Sequence, residues 1–172
     1  MKNLASSVIL SVSGVEGSLK RNESKMKNPY MEQAIIEAKK ASSLGEVPVG
    51  AIIVYKGNII ARAHNLRENN NNALAHAEIL AINEACNKLN SWRLDECELY
   101  VTLEPCPMCA GAIINSRIRA VYFGAYDSKG GACGSIVDLF RKGSFNHTPV
   151  LYGGIMEEAC EEVLKDFFGK LR

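Results

Sequence analysis

Two short strings, His76-Ala77-Glu78 and Pro105-Cys106-Pro107-Met108-Cys109, constrain this chain more than anything else in it. They supply three good zinc ligands, His76, Cys106 and Cys109, and one carboxylate, Glu78, that is poorly placed to be a fourth. A structural zinc site is normally closed by four protein ligands, whereas a hydrolytic one keeps a position open for water. No second Cys-x-x-Cys closes the set, because Cys86, Cys97, Cys133 and Cys160 are each isolated. The strings therefore predict one zinc per chain that activates water, with Glu78 moving protons.

A lone Cys-x-x-Cys also marks redox motifs and half of many zinc ribbons, but the setting here fits neither. Cys106 follows the apolar strand-like run Leu99 to Leu103, and Ala110-Gly111-Ala112-Ile113-Ile114 after it reads as helix. Both cysteines then fall at the first turn of that helix, three residues apart on one face. His76 likewise opens a helical stretch with apolar Ile79, Leu80, Ile82 and Ala85. Two helix N-termini would face one metal, and their partial positive ends favour thiolate. The competing reading makes His76 a polar core histidine, the cysteines buried apolar residues and Glu78 a first-turn glutamate that complements the helix dipole. Ligand identity, spacing and helix placement together favour the metal.

At 172 residues the chain is long enough for one well-buried domain and too short for two comfortable ones. Its formal charge of +1 neither announces nor excludes nucleic acid, since a local patch suffices for phosphate contacts. No run approaches the roughly 18 apolar residues needed to span a bilayer, so no membrane role is expected. Six cysteines without a paired framework point to a reducing cytoplasm. Residues 1–28 are Ser-, Gly- and Lys-rich with one apolar patch, Val8-Ile9-Leu10. They are expected to be a disordered tail, or an upstream extension with Met26 as the functional start, and residues 29–172 a single zinc-binding domain.

Asn28-Pro29 is a helix start, an N-cap followed by proline at the first helical position. Met31, Ala34, Ile35, Ala38 and Ala41 continue one apolar face up to Leu44-Gly45. Ala51 to Tyr55, the turn Lys56-Gly57-Asn58 and Ile59 to Ala63 predict a hairpin. Leu99 to Leu103 is a third strand and Ala120 to Phe123 a fourth, and strand–helix–strand predicts a parallel pair. A glycine-rich loop from Gly124 to Ser135, a short helix near Ile136 to Phe140 and a fifth strand at Val150 to Tyr152 follow. Glu157 to Phe168 closes the chain as an amphipathic helix with apolar Ala159, Val163, Leu164, Phe167 and Phe168. The sum is a three-layer α/β/α domain on a mixed five-stranded sheet.

The His-x-Glu…Pro-Cys-x-x-Cys pattern is the known signature of zinc nucleobase deaminases, a match to a class rather than a derivation. The neighbouring sequence is more specific. Thr102-Leu103-Glu104-Pro105-Cys106-Pro107-Met108-Cys109-Ala110-Gly111-Ala112-Ile113, Ser116-Arg117-Ile118 and Phe123 to Ser135 closely resemble the bacterial tRNA-specific adenosine deaminases. So do Glu46 to Ala51, His64-Asn65, Asn146-His147, Glu157 to Cys160 and Asp166-Phe167-Phe168, so that the resemblance covers about residues 29 to 172.

The resemblance implies a cytidine-deaminase-like fold and a cytoplasmic homodimer that converts the wobble adenosine of a tRNA anticodon stem-loop to inosine. It places the family's base-contacting asparagine on Asn65, a residue that also suits the end of a strand. Val49 falls where the family has an apolar wall for the flipped base, and is equally suited to the core. Asp127 and Lys129 match loop contacts to the anticodon's sugars and phosphates, although a glycine-rich surface loop with one lysine is common. His147 is a candidate RNA contact or a turn residue. Two features depart from the family: Asn72-Ala73-Leu74 stands where Asp-Pro-Thr is usual, removing a rigid proline, and the N-terminal extension is foreign to it.

Arg117, Arg119, Lys129, Arg141 and Lys142 gather in the half of the sequence that holds the loop, so RNA binding is expected to weaken with salt. A free-base or nucleoside deaminase acting on guanine or cytosine shares the motif spelling and is the nearest alternative. A non-catalytic zinc-stapled RNA-binding module is a further one, against which Glu78 beside an open coordination position argues.

Overall fold

The computed structural model describes residues 27–141 and 143–171. The expectations for the N-terminal extension, its apolar patch and a Met26 start concern residues outside these, as does Lys142.

Asn28 caps the first helix, α1 (Pro29–Ser43), its Oδ1 accepting from the backbone N–H of Tyr30 and Met31. That is the Asn-Pro start read from the sequence. Met31, Ala34, Ile35, Ala38 and Ala41 form its buried stripe. The alanines, together with Gly50, let the helix ride close to the sheet. A side chain at position 50 would collide with the backbone of Ala34 and Ala38. Strands β1 (Gly50–Tyr55) and β2 (Asn58–His64) form the expected antiparallel hairpin, with a register shift at Ile53/Val54.

The sheet has five strands in the order β2-β1-β3-β4-β5, where β3 is Cys97–Leu103, β4 Ala120–Ala125 and β5 Val150–Tyr152. β1 pairs antiparallel with β3, while β3–β4 and β4–β5 are parallel, so the sheet is mixed as expected. Helix α2 (Ala77–Leu89) follows β2, and α3 (Pro107–Asn115) makes the crossover from β3 to β4. Both lie on one face. The C-terminal helix α4 (Glu157–Lys170) joins α1 on the other.

Strand periodicity divides the core accordingly, because successive side chains point to opposite faces. Ala51, Ile53, Leu99, Val101, Val121 and Phe123 pack against α2 and α3. Ile52, Val54 and Tyr100 face the other way, beside Tyr30 of α1. The central strands are thus apolar on both faces, which explains the near-continuous runs in their sequences.

Two expectations change. Ile136 to Phe140 is not a helix: Gly131 O takes the N–H groups of both Ile136 and Val137, and Cys133 bridges Asp138, so the segment folds back on itself. Phe168 is half exposed, and the buried residues of α4 are Cys160 and Phe167. No helix among the described residues is long and apolar enough to cross a membrane.

Candidate active site

Two helix starts meet at the end of the sheet where β3 finishes. His76 is the N-cap of α2 and Cys106 the N-cap of α3, yet neither side chain caps its helix. Positions usually given to Ser, Thr, Asp or Asn are filled instead by side chains turned toward each other. Cys109, one turn into α3, is fully buried beside them. His76 Nδ1 lies 3.7 Å from Cys106 Sγ and 3.6 Å from Cys109 Sγ, and the three donor atoms lie within 4.8 Å of one another. Ordinary Zn–N and Zn–S bonds at a tetrahedral angle put nitrogen and sulfur about 3.6 Å apart. The residues present therefore fit a tetrahedral metal with three protein ligands.

The electrostatics agree with that use. The hydrogen bond from Cys109 and the contact with His76 lower the Cys106 thiol to about 4, while Cys109, donor to Cys106 and buried, is pushed far up. His76 is raised, chiefly by its contact with Cys106. Glu78, two residues into α2 and 4% exposed, is pushed up to about 7 by burial. A carboxyl at that value holds and releases a proton near neutral pH, which general acid–base work requires.

These groups open onto a concave pocket lined by Val47, Val49, Asn65, Arg67, Glu104 and Asp127, as well as by His76, Glu78 and Cys106. The structure thus brings Asn65, Val49 and Asp127 to the zinc-type trio. Asn65 is reached through its backbone, whose N–H donates to Val49 O and extends the β1–β2 ladder by one residue. Asp127 is held by its N–H, which donates to Glu104 Oε2 at 3.0 Å. Lys129 is exposed on the same loop, its N–H bonded to Asp127 Oδ1. The loop leading to His76 keeps a defined turn without the usual proline, because Asn72 Oδ1 accepts from the N–H of Leu74.

His147 is not brought to this pocket. Its Nε2 lies 2.7 Å from Ile118 O, near Arg119, whose N–H donates to Cys97 O at the start of β3. The seven residues of β3 separate that end from the pocket by about 20 Å. Arg117 and Arg119 sit at the same far end, bonded to Asn146 Oδ1 and Glu98. Of the basic residues that gather in the sequence, Arg117 and Arg119 therefore lie far from the loop that carries Lys129. The cation on the pocket wall is Arg67, which the sequence reading passed over, along with Val47, Glu104 and the buried Glu46 behind Asn65. The available signal was the proximity of Arg67 to Asn65 in the chain, two residues on.

A metal trio at two helix starts, with a buried carboxylate beside it at the carboxyl edge of a mixed sheet, defines the nucleobase-deaminase class. A family model described as MafB19-like deaminase matches residues 25–172. The chain is 54% identical over 143 residues to a tRNA-specific adenosine deaminase of Bacillus subtilis (strain 168), covering 83% of this chain and 89% of that protein. A structure from a study of A-to-I editing by tRNA:A34 deaminases at the wobble position superposes with a TM-score of 0.76 at 47% identity, covering 78% of this chain and 98% of that one. A guanine deaminase from Bacillus subtilis superposes with a TM-score of 0.55 at 40% identity, covering 59% of this chain and 66% of that one. The chain belongs to the family of tRNA-specific adenosine deaminases.

Proposed function

We propose that this protein hydrolyses the wobble adenosine of a tRNA anticodon to inosine, using zinc held by His76, Cys106 and Cys109. The observation that carries the reading is the convergence of His76, Cys106, buried Glu78 and Asn65 on one pocket, with Cys109 buried beside them, in a chain 54% identical to a tRNA-specific adenosine deaminase. Zinc, when bound, supplies a Lewis acid that makes water a usable nucleophile near neutral pH.

The rest of the work falls to the chain's own residues. Glu78 takes a proton from the attacking water and delivers it to N1 of the adenine ring, leaving C6 more electrophilic. The water oxygen bonds to C6. Glu78 then carries the second water proton to the amino nitrogen as the C6–N6 bond breaks, and ammonia leaves. One carboxylate acts as base and then acid, and burial sets it near the value that suits both.

Asn65 and Val49 would hold the flipped nucleoside, while Asp127 and Lys129 would meet the flanking sugars and phosphates. Arg67 adds a cation to the pocket lining. His147 stays a candidate only for RNA that extends well beyond the pocket. A cytoplasmic homodimer is part of the proposal, and the exposed apolar side chains Trp92, Ile136, Val137 and Phe145 offer surface that such a contact would cover.

Guanine deamination is the second reading, favoured by the 40% identical guanine deaminase structure. Ammonia release from an anticodon stem-loop, compared with free adenosine, cytidine and guanine, separates the two. Release from the stem-loop alone is the expected result; release from free guanine alone would overturn the RNA assignment and keep the zinc chemistry.

A further inference from the structure

Glu46 is a fully buried carboxylate on the turn between α1 and β1, outside the metal trio and the proton-transfer chemistry. Its Oε1 accepts from the N–H of Asn69 at 2.7 Å and from Asn69 Nδ2 at 2.9 Å. Its Oε2 accepts from Asn65 Nδ2 at 3.3 Å. Burial pushes its carboxyl up, but the bonds from Asn69 outweigh this and hold it below the ordinary value, so it is an anion. Tying a loop to the body of a protein does not demand a charge, and a buried charge is costly unless fully hydrogen-bonded.

The charge has a specific consequence for Asn65. An asparagine amide has a donor end and an acceptor end of nearly the same shape, and its orientation is set by its neighbours. A carboxylate only accepts. The carbonyl of Val47 also only accepts, and it lies 3.4 Å from the same Nδ2. Two neighbours therefore select one orientation, with Asn65 Oδ1 turned away from Glu46, where the N–H of Arg67 approaches at 3.4 Å. Asn65, Val47 and Arg67 all line the pocket.

We propose that Glu46 is a positioning residue for substrate, fixing the Asn65 amide so that Oδ1 is the end presented to a hydroxyl or N–H of the bound nucleoside. Its bonds to Asn69 also tie down the Asn65–Asn69 segment, a structural role separate from the orientation of the Asn65 amide. The proposal rests on the reading that Asn65 contacts the substrate. Glutamine at position 46 would keep the size of the side chain but add a donor, leaving only the more distant Val47 carbonyl to select the orientation of Asn65.

The test is a double-mutant cycle on an anticodon stem-loop with E46Q, N65A and the double variant, with zinc content and melting temperature measured for each. E46Q is expected to raise KM about tenfold, with kcat changed little and zinc retained, and to cost nothing further in the N65A background. A full E46Q penalty in the N65A background would overturn the proposal while leaving Asn65 as a contact. Unchanged kinetics in N65A would remove the contact itself and the proposal with it. Asn69→Ala separates loop anchoring from amide orientation even if E46Q folds poorly. It should lower the melting temperature and leave KM within about twofold. A tenfold rise in KM for that variant would assign the effect to the loop and contradict the role given to Glu46.

Discussion

Glu104 and Gly131 compete for one volume. The Glu104 carboxyl group lies where a side chain at position 131 would begin, with all three of its terminal atoms under 3.0 Å from the place of a Cβ. From there it accepts the N–H groups of Asp127, Cys133 and Ser135, together with the Ser135 hydroxyl. One buried anion thus folds the glycine-rich loop onto the residue that precedes Pro105-Cys106, and sets Asp127 on the pocket wall. Gly131→Ala should displace that carboxylate, destabilise the protein by about 1–3 kcal/mol and raise KM more than it lowers kcat. Denaturant melts and steady-state kinetics on a stem-loop check this, and an Ala variant with wild-type KM would mean the loop does not shape the site.

The same anion makes acid stability testable. Burial pushes the Glu104 carboxyl up, but the hydrogen bonds from Ser135, Asp127 and Cys133 outweigh it and leave the group below its ordinary 4.5. A carboxyl lowered in the folded state contributes its full stability above its unfolded value and loses it as pH falls through its folded value. The wild-type melting temperature should therefore fall more steeply below about pH 4.5 than that of Glu104→Gln, which is less stable at neutral pH but lacks this titration. Parallel curves between pH 7 and 3 would show that Glu104 is not a source of acid sensitivity.

Electrostatic binding should map onto space rather than onto sequence. Arg67→Ala is expected to weaken stem-loop binding and to reduce the slope of log affinity against log salt by about 0.7, the value of one single-strand phosphate. Arg117→Ala, at the far end of the sheet, should leave that slope unchanged. Equal effects from the two variants would mean that RNA runs along the full length of the domain.

The five strands, the β1–β2 hairpin, the parallel β3–β4 pair and the metal trio were legible in the sequence because each depends on local signals. Apolar runs bounded by turns gave the strands, Asn28-Pro29 gave α1, and the ligand spacing gave the trio. Glu46 and Glu104 were not legible as site residues, because their roles come from hydrogen bonds to segments 19 to 31 residues away in the chain. The helix expected near Ile136 failed for the same reason: Gly131 and the Glu104 carboxylate organise that loop, and apolar spacing does not reveal them. Arg117 and Arg119 could not be told apart from Lys129 in the sequence, since β4 begins at the opposite end of the sheet from the pocket.

Within the metal site the two kinds of residue should separate cleanly. Glu78→Ala is expected to keep zinc and fold and to lose about 10²–10⁴ in turnover. Cys109→Ala should lose metal and melt at a lower temperature, because ligand binding is coupled to folding. Metal analysis of the purified variants checks both. Zinc retained in full by Cys109→Ala would contradict its place among the ligands.

The most direct measurement is sequencing of an arginine tRNA transcript, carrying adenosine at the wobble position, after incubation with the purified protein. Inosine reads as guanosine, so the account expects an A-to-G change at that one position and none with Glu78→Ala. An unedited wobble position under conditions where the protein releases ammonia from a free base would contradict it.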